Sequence, residues 1–286
     1  GNLLNIVRFA SENGIIAIGM TLVILTGGID LSVGALLALC AVGAASALVK
    51  YNLGTPGTIL IVLGLGAAVG LVNGLVTTRF RIQSFIATLA MLSVARGAAS
   101  LWSEGQAIPL AFGDRPGAAP LSFQAFFGGE VGLFGVDVPV PLFYFLLVAV
   151  IASLVLRRTH FGRNIYAVGS NEAAARLSGV AVNRIKIAVF ALSGLLSGLA
   201  ALLHVALVNQ GSHIDGSGYE LNAIAAVVIG GTSLSGGSGA VLGTVLGALI
   251  LSVLDNILGL RNVQSEYQLI LKGIIIVLAV VVQRRR

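Results

Sequence analysis

The sequence contains few charged residues and a single cysteine, and both shortages narrow the class of protein. Charged residues make up 10% of the 286 residues, whereas soluble domains contain roughly a quarter. Hydrophobic residues reach 57%, so the composition excludes a soluble enzyme and indicates an integral membrane protein. The lone Cys40 lies within a hydrophobic run, where we expect it to pack as a small apolar side chain.

The sequence also lacks the motifs of nucleotide binding, metal binding and nucleophilic catalysis. A phosphate-binding loop requires Gly-Lys-Ser/Thr, but Lys50, Lys186 and Lys272 are followed by Tyr, Ile and Gly. The histidines have no second ligand at metal-site spacing, and no Gly-x-Ser-x-Gly elbow accompanies a base. We therefore expect no enzymatic activity, no metal and no cofactor bound by this chain. The net charge of +6 resides in short loops without interleaved aromatics, which predicts no nucleic-acid partner.

Nine hydrophobic runs predict an all-α, polytopic transmembrane helical bundle that forms a single domain over residues 1–286. Thirty-eight glycines favour closely packed helices. The runs lie at about 14–26, 31–49, 55–77, 83–102, 139–156, 187–208, 219–235, 237–258 and 267–283.

Basic residues predict the orientation of these crossings. The segment 157–186 has six basic residues against one acid, so the positive-inside rule places it in the cytoplasm. Alternation then puts 79–81 and the arginines at 284–286 inside and 103–138 outside. Counting back makes residue 1 external, so we expect one further crossing before it and about ten in all. Acidic residues outnumber basic ones in the external loop, which contains Glu104, Asp114, Glu130 and Asp137 against Arg115.

A glycine-rich break that contains an aspartate interrupts the apolar stretch near the start, at 27–34. Unpaired backbone and an ionisable group are tolerated in a membrane only where protein or a water-lined path surrounds them. The pattern returns 203 residues later, at 230–237, pairing Gly27 with Gly230 and Gly28 with Gly231. Such paired interruptions predict a translocation site. The alternative is a pair of helix hairpins joined by tight Gly-Ser turns.

A short polar helix is predicted between two cytoplasmic linkers. Asn171 is a suitable N-cap, Glu172 places an acid at the positive helix end, and Gly179 terminates the helix. The helix is expected either to dock a partner at the cytoplasmic face or to rest on lipid headgroups as an amphipathic loop helix.

Three segments, at 19–34, 171–179 and 218–231, resemble the permease subunits of the ribose, xylose, arabinose and galactose ABC importers. The resemblance implies a subunit of the bacterial inner membrane that pairs with itself, receives sugar from a periplasmic binding protein and is driven by a cytoplasmic ATPase carrying ATP and Mg²⁺. It also implies that 157–186 is the coupling loop, although this copy differs from the wider importer pattern in its glycine spacing and lacks the later Leu-Pro. The implied ATPase-coupling residues are Asn171, Glu172, Ala173, Ala174 and Gly179.

Neutral sugars need hydroxyls, amides and backbone carbonyls along their path, together with small residues for clearance. Buried charges should face a partner, so we expect Asp255 and Lys272 to form a structural ion pair and Arg96 to line the path or pin the external loop. The predicted translocation residues are Gly27, Gly28, Asp30, Ser32, Asn222, Gly230, Gly231 and Thr232, with Thr26, Asn73, Ser233 and Ser235 as further polar residues.

Two other functions fit parts of this pattern. Broken helices and an intramembrane aspartate are equally natural in an ion-coupled secondary transporter for a small polar solute. A membrane scaffold without transport activity is a further alternative. The cytoplasmic 157–186 segment separates these possibilities, because only an ABC permease needs an element that receives force from an ATPase.

Overall fold

A computed structural model describes residues 2–113, 117–133 and 135–284. Asp114, Arg115 and the last two arginines, which entered the orientation argument, lie outside these ranges. The described helices are α1 (Asn2–Leu25), α2 (Val33–Ala45, continued by a π-helical turn, Ser46–Lys50), α3 (Gly54–Arg79), α4 (Ser84–Trp102), α5 (Leu121–Phe127), α6 (Val140–Arg158), α7 (His160–Ser170), α8 (Glu172–Leu177), α9 (Val182–Val208), α10 (Tyr219–Ile229), α11 (Val241–Leu260) and α12 (Ser265–Arg284).

The predicted helical bundle is confirmed, and seven helices in the described ranges are long and apolar enough to cross a membrane. The other two predicted runs correspond to α12 and to α10, whose 11 residues span about 16 Å, roughly half of a bilayer's hydrocarbon core. Nine crossings therefore remain a prediction. The seven candidate spans are Leu4–Leu25, Val33–Lys50, Gly54–Arg79, Ser84–Trp102, Val140–Arg158, Val182–Val208 and Val241–Leu260.

The first helix begins well before the predicted run at 14–26. Helix α1 begins at Asn2 and includes the polar residues Arg8 and Glu12. Their partners lie elsewhere in the fold: Arg8 pairs with Glu130, and Glu12 pairs with His204. Since these polar groups are satisfied by tertiary contacts, the helix extends beyond the apolar run.

The loop at 103–138 contains β-structure that the all-α prediction omitted. Strands β2 (Glu130–Leu133) and β3 (Val136–Pro139) form an antiparallel hairpin, and β1 (Ile108–Pro109) pairs with β4 (Gln210–Gly211). These strands are two to four residues long, too short for an alternating pattern to be visible in the sequence. The pairing of β1 with β4 fastens the 103–138 loop to the end of α9.

Helix α9 lies at the centre of the bundle, packed against α1, α2 and α3. Gly66, Gly70 and Gly74, one turn apart on α3, lie against the backbone of α9, and a Cβ added at Gly66 would overlap the carbonyl of Gly194. Small residues at four-residue spacing allow this close approach between membrane helices. The expected packing of helices through glycine is confirmed.

The bundle has one strongly basic face. Helices α3 and α6 end there, and α4 and α9 begin there. The short helices α7 and α8, which follow α6 and precede α9 in the chain, lie there too. We call this the basic face, and the side bearing 103–138 and β4 the opposite face. The basic face contains Arg79, Arg81, Arg157, Arg158, Arg163, Arg176, Arg184 and Lys186.

Candidate functional site

Both glycine segments end a helix in the same way. Gly27 and Gly231 adopt left-handed φ angles of 76° and 86°. At the first site Gly28 N donates to Val23 O and Gly27 N to Ile24 O; at the second, Thr232 N donates to Val227 O and Gly231 N to Val228 O. These hydrogen bonds define Schellman caps, which place glycine in the left-handed position.

The predicted register of the repeat was therefore wrong by one residue. The structure matches Gly27 with Gly231, whereas the sequence pattern had matched Gly27 with Gly230. Gly230 lies in the right-handed helical region, with φ −68°, and packs against the backbone of Gly243 in α11. The two leading glycines of the second segment thus differ in function: Gly230 allows close packing of α10 on α11, and Gly231 ends α10.

The two glycine segments meet. Gly237 N donates a 3.0 Å hydrogen bond to Leu25 O, and Gly236 lies against the backbone of Gly27. One helical turn away, the hydroxyls of Thr21 and Thr244 are 2.7 Å apart. We call residues 26–32 together with 230–239 the glycine junction. Because α11 also packs along α10, the second segment is at the same time the turn of a helix hairpin.

Asp30 is fully buried within this junction. Its Oδ1 accepts hydrogen bonds from Ser32 N at 3.0 Å and Ser32 Oγ at 2.6 Å, and its Oδ2 accepts one from Ser193 Oγ at 3.1 Å. Asn73 Nδ2 donates to Ser32 Oγ at 2.9 Å. No basic side chain of the described residues pairs with Asp30, so hydroxyl and backbone donors alone stabilise this carboxylate.

Helix α4 satisfies the rest of the extended backbone between α1 and α2. Ile29 N donates to Ser84 Oγ and Leu31 N to Thr88 Oγ1, each at 3.1 Å, while Thr88 Oγ1 lies 3.2 Å from Ile29 O. Two hydroxyls of α4 therefore replace helical hydrogen bonds that this backbone lacks. This is the condition under which irregular backbone is tolerated at membrane depth.

A polar cavity of about 770 Å³ opens beside the junction at the basic face. Of the predicted translocation residues, Gly27 and Gly28 line it in the described part of the chain, whereas Asp30 lies behind its wall. The volume falls within the range of small-molecule sites. Its lining consists of Thr26, Gly27, Gly28, Ile29, Thr77, Thr78, Arg81, Ile82, Gln83, Ser84, Phe85, Glu172, Arg176, Asn183, Lys186 and Phe190.

The other predicted translocation residues occupy different surroundings. Thr232 is buried in the junction, close to the position that a Cβ on Gly239 would occupy. Asn222 lies with Asn13 and Asp255 around a small polar cavity between α1, α10 and α11. The fold thus groups Gly27, Asp30, Ser32, Gly231 and Thr232 at the junction and separates Asn222 from them.

The short helix α8 is present with its predicted cap. Asn171 Oδ1 accepts a 2.9 Å hydrogen bond from Ala174 N, and Gly179 after the helix has a φ of 83°. Ala173 and Ala174 are exposed, whereas Ala175 faces inward. Leu177 is 90% exposed, an apolar side chain on a polar helix that was not among the predicted site residues.

An ion pair between Glu172 and Lys186 fixes α8 to α9, and a second pair, between Glu172 and Arg176, lies within α8. Glu172 is 2.5 Å from Lys186 Nζ and 3.0 Å from Arg176 Nη2. The hydrogen bond from Lys186 is the main cause of a lowered Glu172 pKa. A lowered carboxyl pKa means that the pairs contribute stability above the unfolded-state pKa and lose it as the pH falls through the folded-state value. Because Glu172 is partly exposed, this contribution is screened by solvent.

A largely buried cluster of ionisable side chains near the opposite face was not predicted. His204 Nδ1 lies 2.8 Å from Glu12 Oε1, and His204 Nε2 lies 3.5 Å from Asp215 Oδ2. Arg96 Nη1 donates to the carbonyls of His213 and Asp215 at 2.5 and 2.7 Å, so Arg96 pins the loop before α10. Glu12 and His204 are 192 positions apart, which no local spacing reveals. The one sequence signal for this cluster was Glu12, an acidic residue just before the apolar run at 14–26.

The predicted pair of Asp255 and Lys272 lies in contact, with Nζ 3.0 Å from Oδ2. We expect Asp255→Asn and Lys272→Gln each to reduce the amount of folded protein, because each leaves one uncompensated charge in a low-dielectric region. The double variant should restore part of the loss. Size-exclusion profiles of detergent-extracted protein measure this, and a double variant as poor as the sum of the singles would show that the two residues act independently.

Comparisons with known proteins cover almost the whole chain. Residues 2–280 match the family described as the branched-chain amino acid transport system permease component. The chain is 46% identical to the ribose import permease protein of Escherichia coli K12 over 285 residues, covering 100% of this chain and 86% of that protein. It is 44% identical to the Bacillus subtilis ribose import permease protein, covering 100% and 85%, and 36% identical to the E. coli xylose transport system permease protein, covering 98% and 84%. No solved structure matches the chain.

Proposed function

The chain belongs to this family of transport-system permease components, and we propose that it is the membrane-spanning subunit of an ATP-driven ABC importer for a monosaccharide. It is a multi-pass protein of the bacterial inner membrane, and as a permease component it is a transport protein, not an enzyme. The observation that carries the proposal is the 46% identity to a ribose import permease over the full chain. Other relatives are named as permease proteins for xylose and L-arabinose, so the proposed substrate class is monosaccharides.

The basic face is cytoplasmic in this proposal, and α8 is the helix that docks on a separate ATPase holding ATP and Mg²⁺. Ala173 and Ala174 give α8 a narrow exposed surface, and Leu177 adds an exposed apolar side chain. A surface of small side chains with one protruding apolar side chain is suited to insertion into a groove of a partner protein. The ion pair between Glu172 and Lys186 keeps the helix in a fixed position on α9, so it is ready for docking.

The polar cavity forms the cytoplasmic end of the sugar path. A neutral polyhydroxylated solute needs hydrogen-bonding groups that bind weakly, and the wall next to the junction supplies Thr26, Thr77, Gln83 and Ser84. The glycine junction closes the inner end of this cavity. High affinity then belongs to a periplasmic binding protein, because tight binding in the path would slow release.

The subunit works as a homodimer with the periplasmic binding protein on the opposite face. The nine predicted runs each cross the membrane wholly or, for α10, in part. Exposed apolar side chains on α3, α4, α6 and α11 fit a surface that faces lipid or a second copy.

The test is uptake by the subunit reconstituted in liposomes with the ATPase and binding protein encoded beside it. We expect accumulation of one radiolabelled pentose, among ribose, xylose and arabinose, that requires both ATP and the binding protein. An ion-coupled secondary transporter would instead accumulate solute under a sodium or proton gradient with no ATPase present. Gradient-driven uptake by the subunit alone would therefore contradict the proposal.

A further inference from the structure

Helix α7 is packed directly beneath the glycine junction. A Cβ added at Gly169, near its C-terminal end, would overlap Leu25 O and Gly237 N. These are the two atoms whose 3.0 Å hydrogen bond joins the two halves of the junction. Gly169 is therefore in backbone contact with the point where α1 and the segment after α10 meet, and any side chain there would separate them.

A second attachment lies one turn earlier on the same helix. Tyr166 Oη donates a 2.9 Å hydrogen bond to Gly239 O, just before α11 begins. Ser170, at the end of α7, lies against Gly237. Tyr166, Gly169 and Ser170 lie three and four residues apart, so one face of the C-terminal half of α7 touches the segment that links α10 to α11.

The same end of α7 is joined to α8 by one residue. Asn171 is at once the C-cap of α7 and the N-cap of α8, with an extended backbone at φ −159° and ψ 101°. Its side chain is fixed by the bond to Ala174 N. A displacement of α8 therefore moves the end of α7, because the single linking residue has no slack to absorb it.

We propose that α7 transmits movement of α8 to the glycine junction, with Gly169 and Tyr166 as the positioning residues. The inference rests on the proposed function, since it takes α8 to be the ATPase-docking helix. A shift of α7 acts on α1 and on the α10–α11 turn at one point, so one displacement moves both halves of the junction. Gly27 and Gly28 of the first half form part of the wall of the polar cavity, so that wall moves with them. The contact makes the sugar path respond to the state of the ATPase.

The first test is Gly169→Ala in the reconstituted complex with ATPase and binding protein. We expect the complex to assemble and hydrolyse ATP, but the number of sugars transported per ATP should fall about tenfold, within the range of coupling between distant sites. Gly97→Ala is the matched control, because a Cβ there meets nothing within 4 Å. It should leave the ratio unchanged.

Tyr166→Phe is the second test, because it removes only the hydroxyl that bonds Gly239. We expect a smaller fall in sugar per ATP, a few-fold as one hydrogen bond of about 1 kcal/mol predicts, with Tyr51→Phe on the opposite face as control. Unchanged ratios in both variants would overturn the inference while wild-type uptake still supports the proposed function. Equal losses of uptake and hydrolysis, in step with lost folded protein, would also overturn it by showing a purely structural role. Failure of the wild-type complex to transport any sugar would instead refute the function itself.

Discussion

Replacing Ala174 with arginine is expected to abolish sugar uptake and binding-protein-stimulated ATP hydrolysis while leaving membrane insertion intact. Ala174 is exposed on the short helix α8, next to Ala173 and three residues before Leu177. A long charged side chain at the centre of a narrow docking surface both obstructs the groove and buries an unpaired charge, each costly at an interface. Measured quantities are uptake, ATPase stimulation and co-purification of the ATPase.

The matched control is Ala107→Arg, which places the same side chain at an exposed position in the loop on the opposite face. It should leave ATPase docking unchanged, because the proposed docking helix α8 lies on the basic face, on the other side of the bundle. Insertion of both variants is checked by their size-exclusion profiles. Normal transport by the Ala174 variant would remove the coupling role from α8.

Local signals in the sequence were enough to predict α8. The cap at Asn171, the acid at the helix start and the terminating glycine all lie within nine residues of each other. Capping residues act on backbone groups one to three positions away, so their effect is visible without knowledge of the fold. The same holds for long apolar helices, whose length is set by the bilayer.

Long-range contacts decided the features that the sequence pattern missed. Helix α1 extends back to Asn2 because Glu12 meets His204 across the bundle. The register of the glycine repeat depends on which glycine takes a positive φ, and in the second segment this is Gly231. Gly230 instead allows α10 to pack closely on Gly243 of α11. Neither effect is visible in residue spacing, because each is set by a contact with another helix.

The position of Asp30 relative to the cavity was likewise beyond prediction. The sequence places it in the break, but only the fold shows that its side chain turns away from the cavity toward Ser32 and Ser193. Asp30 therefore bears on the cavity only through the backbone that it holds. Its neighbours Gly27 and Gly28 form the wall itself.

Asp30→Asn is expected to reduce uptake about tenfold or more without preventing folding, since a hydrogen bond to a charged group is worth about 1.5–3 kcal/mol. Asparagine retains an oxygen for the two donors of Ser32, so the local turn persists. Its amide group, however, is a donor where the carboxylate accepted from Ser193 Oγ. The tie between the junction and α9 is thereby altered, and a gate that depends on it should fail to move correctly.

Asp30→Asn tests the charge of the junction, and two glycine variants test its backbone separately. Gly27→Ala forces alanine into a left-handed conformation at φ 76°, at a cost of about 1–2 kcal/mol, and should reduce uptake. Gly28→Ala has no such strain: its Cβ would lie 3.2 Å from Val23 Cγ1 and 3.4 Å from Phe190 Cζ, so it tests crowding of the cavity wall alone. Uptake is measured in the reconstituted complex, with ATPase docking followed in parallel. Full transport by both Asp30→Asn and Gly28→Ala would refute a gating role and leave the junction as a plain turn between helices.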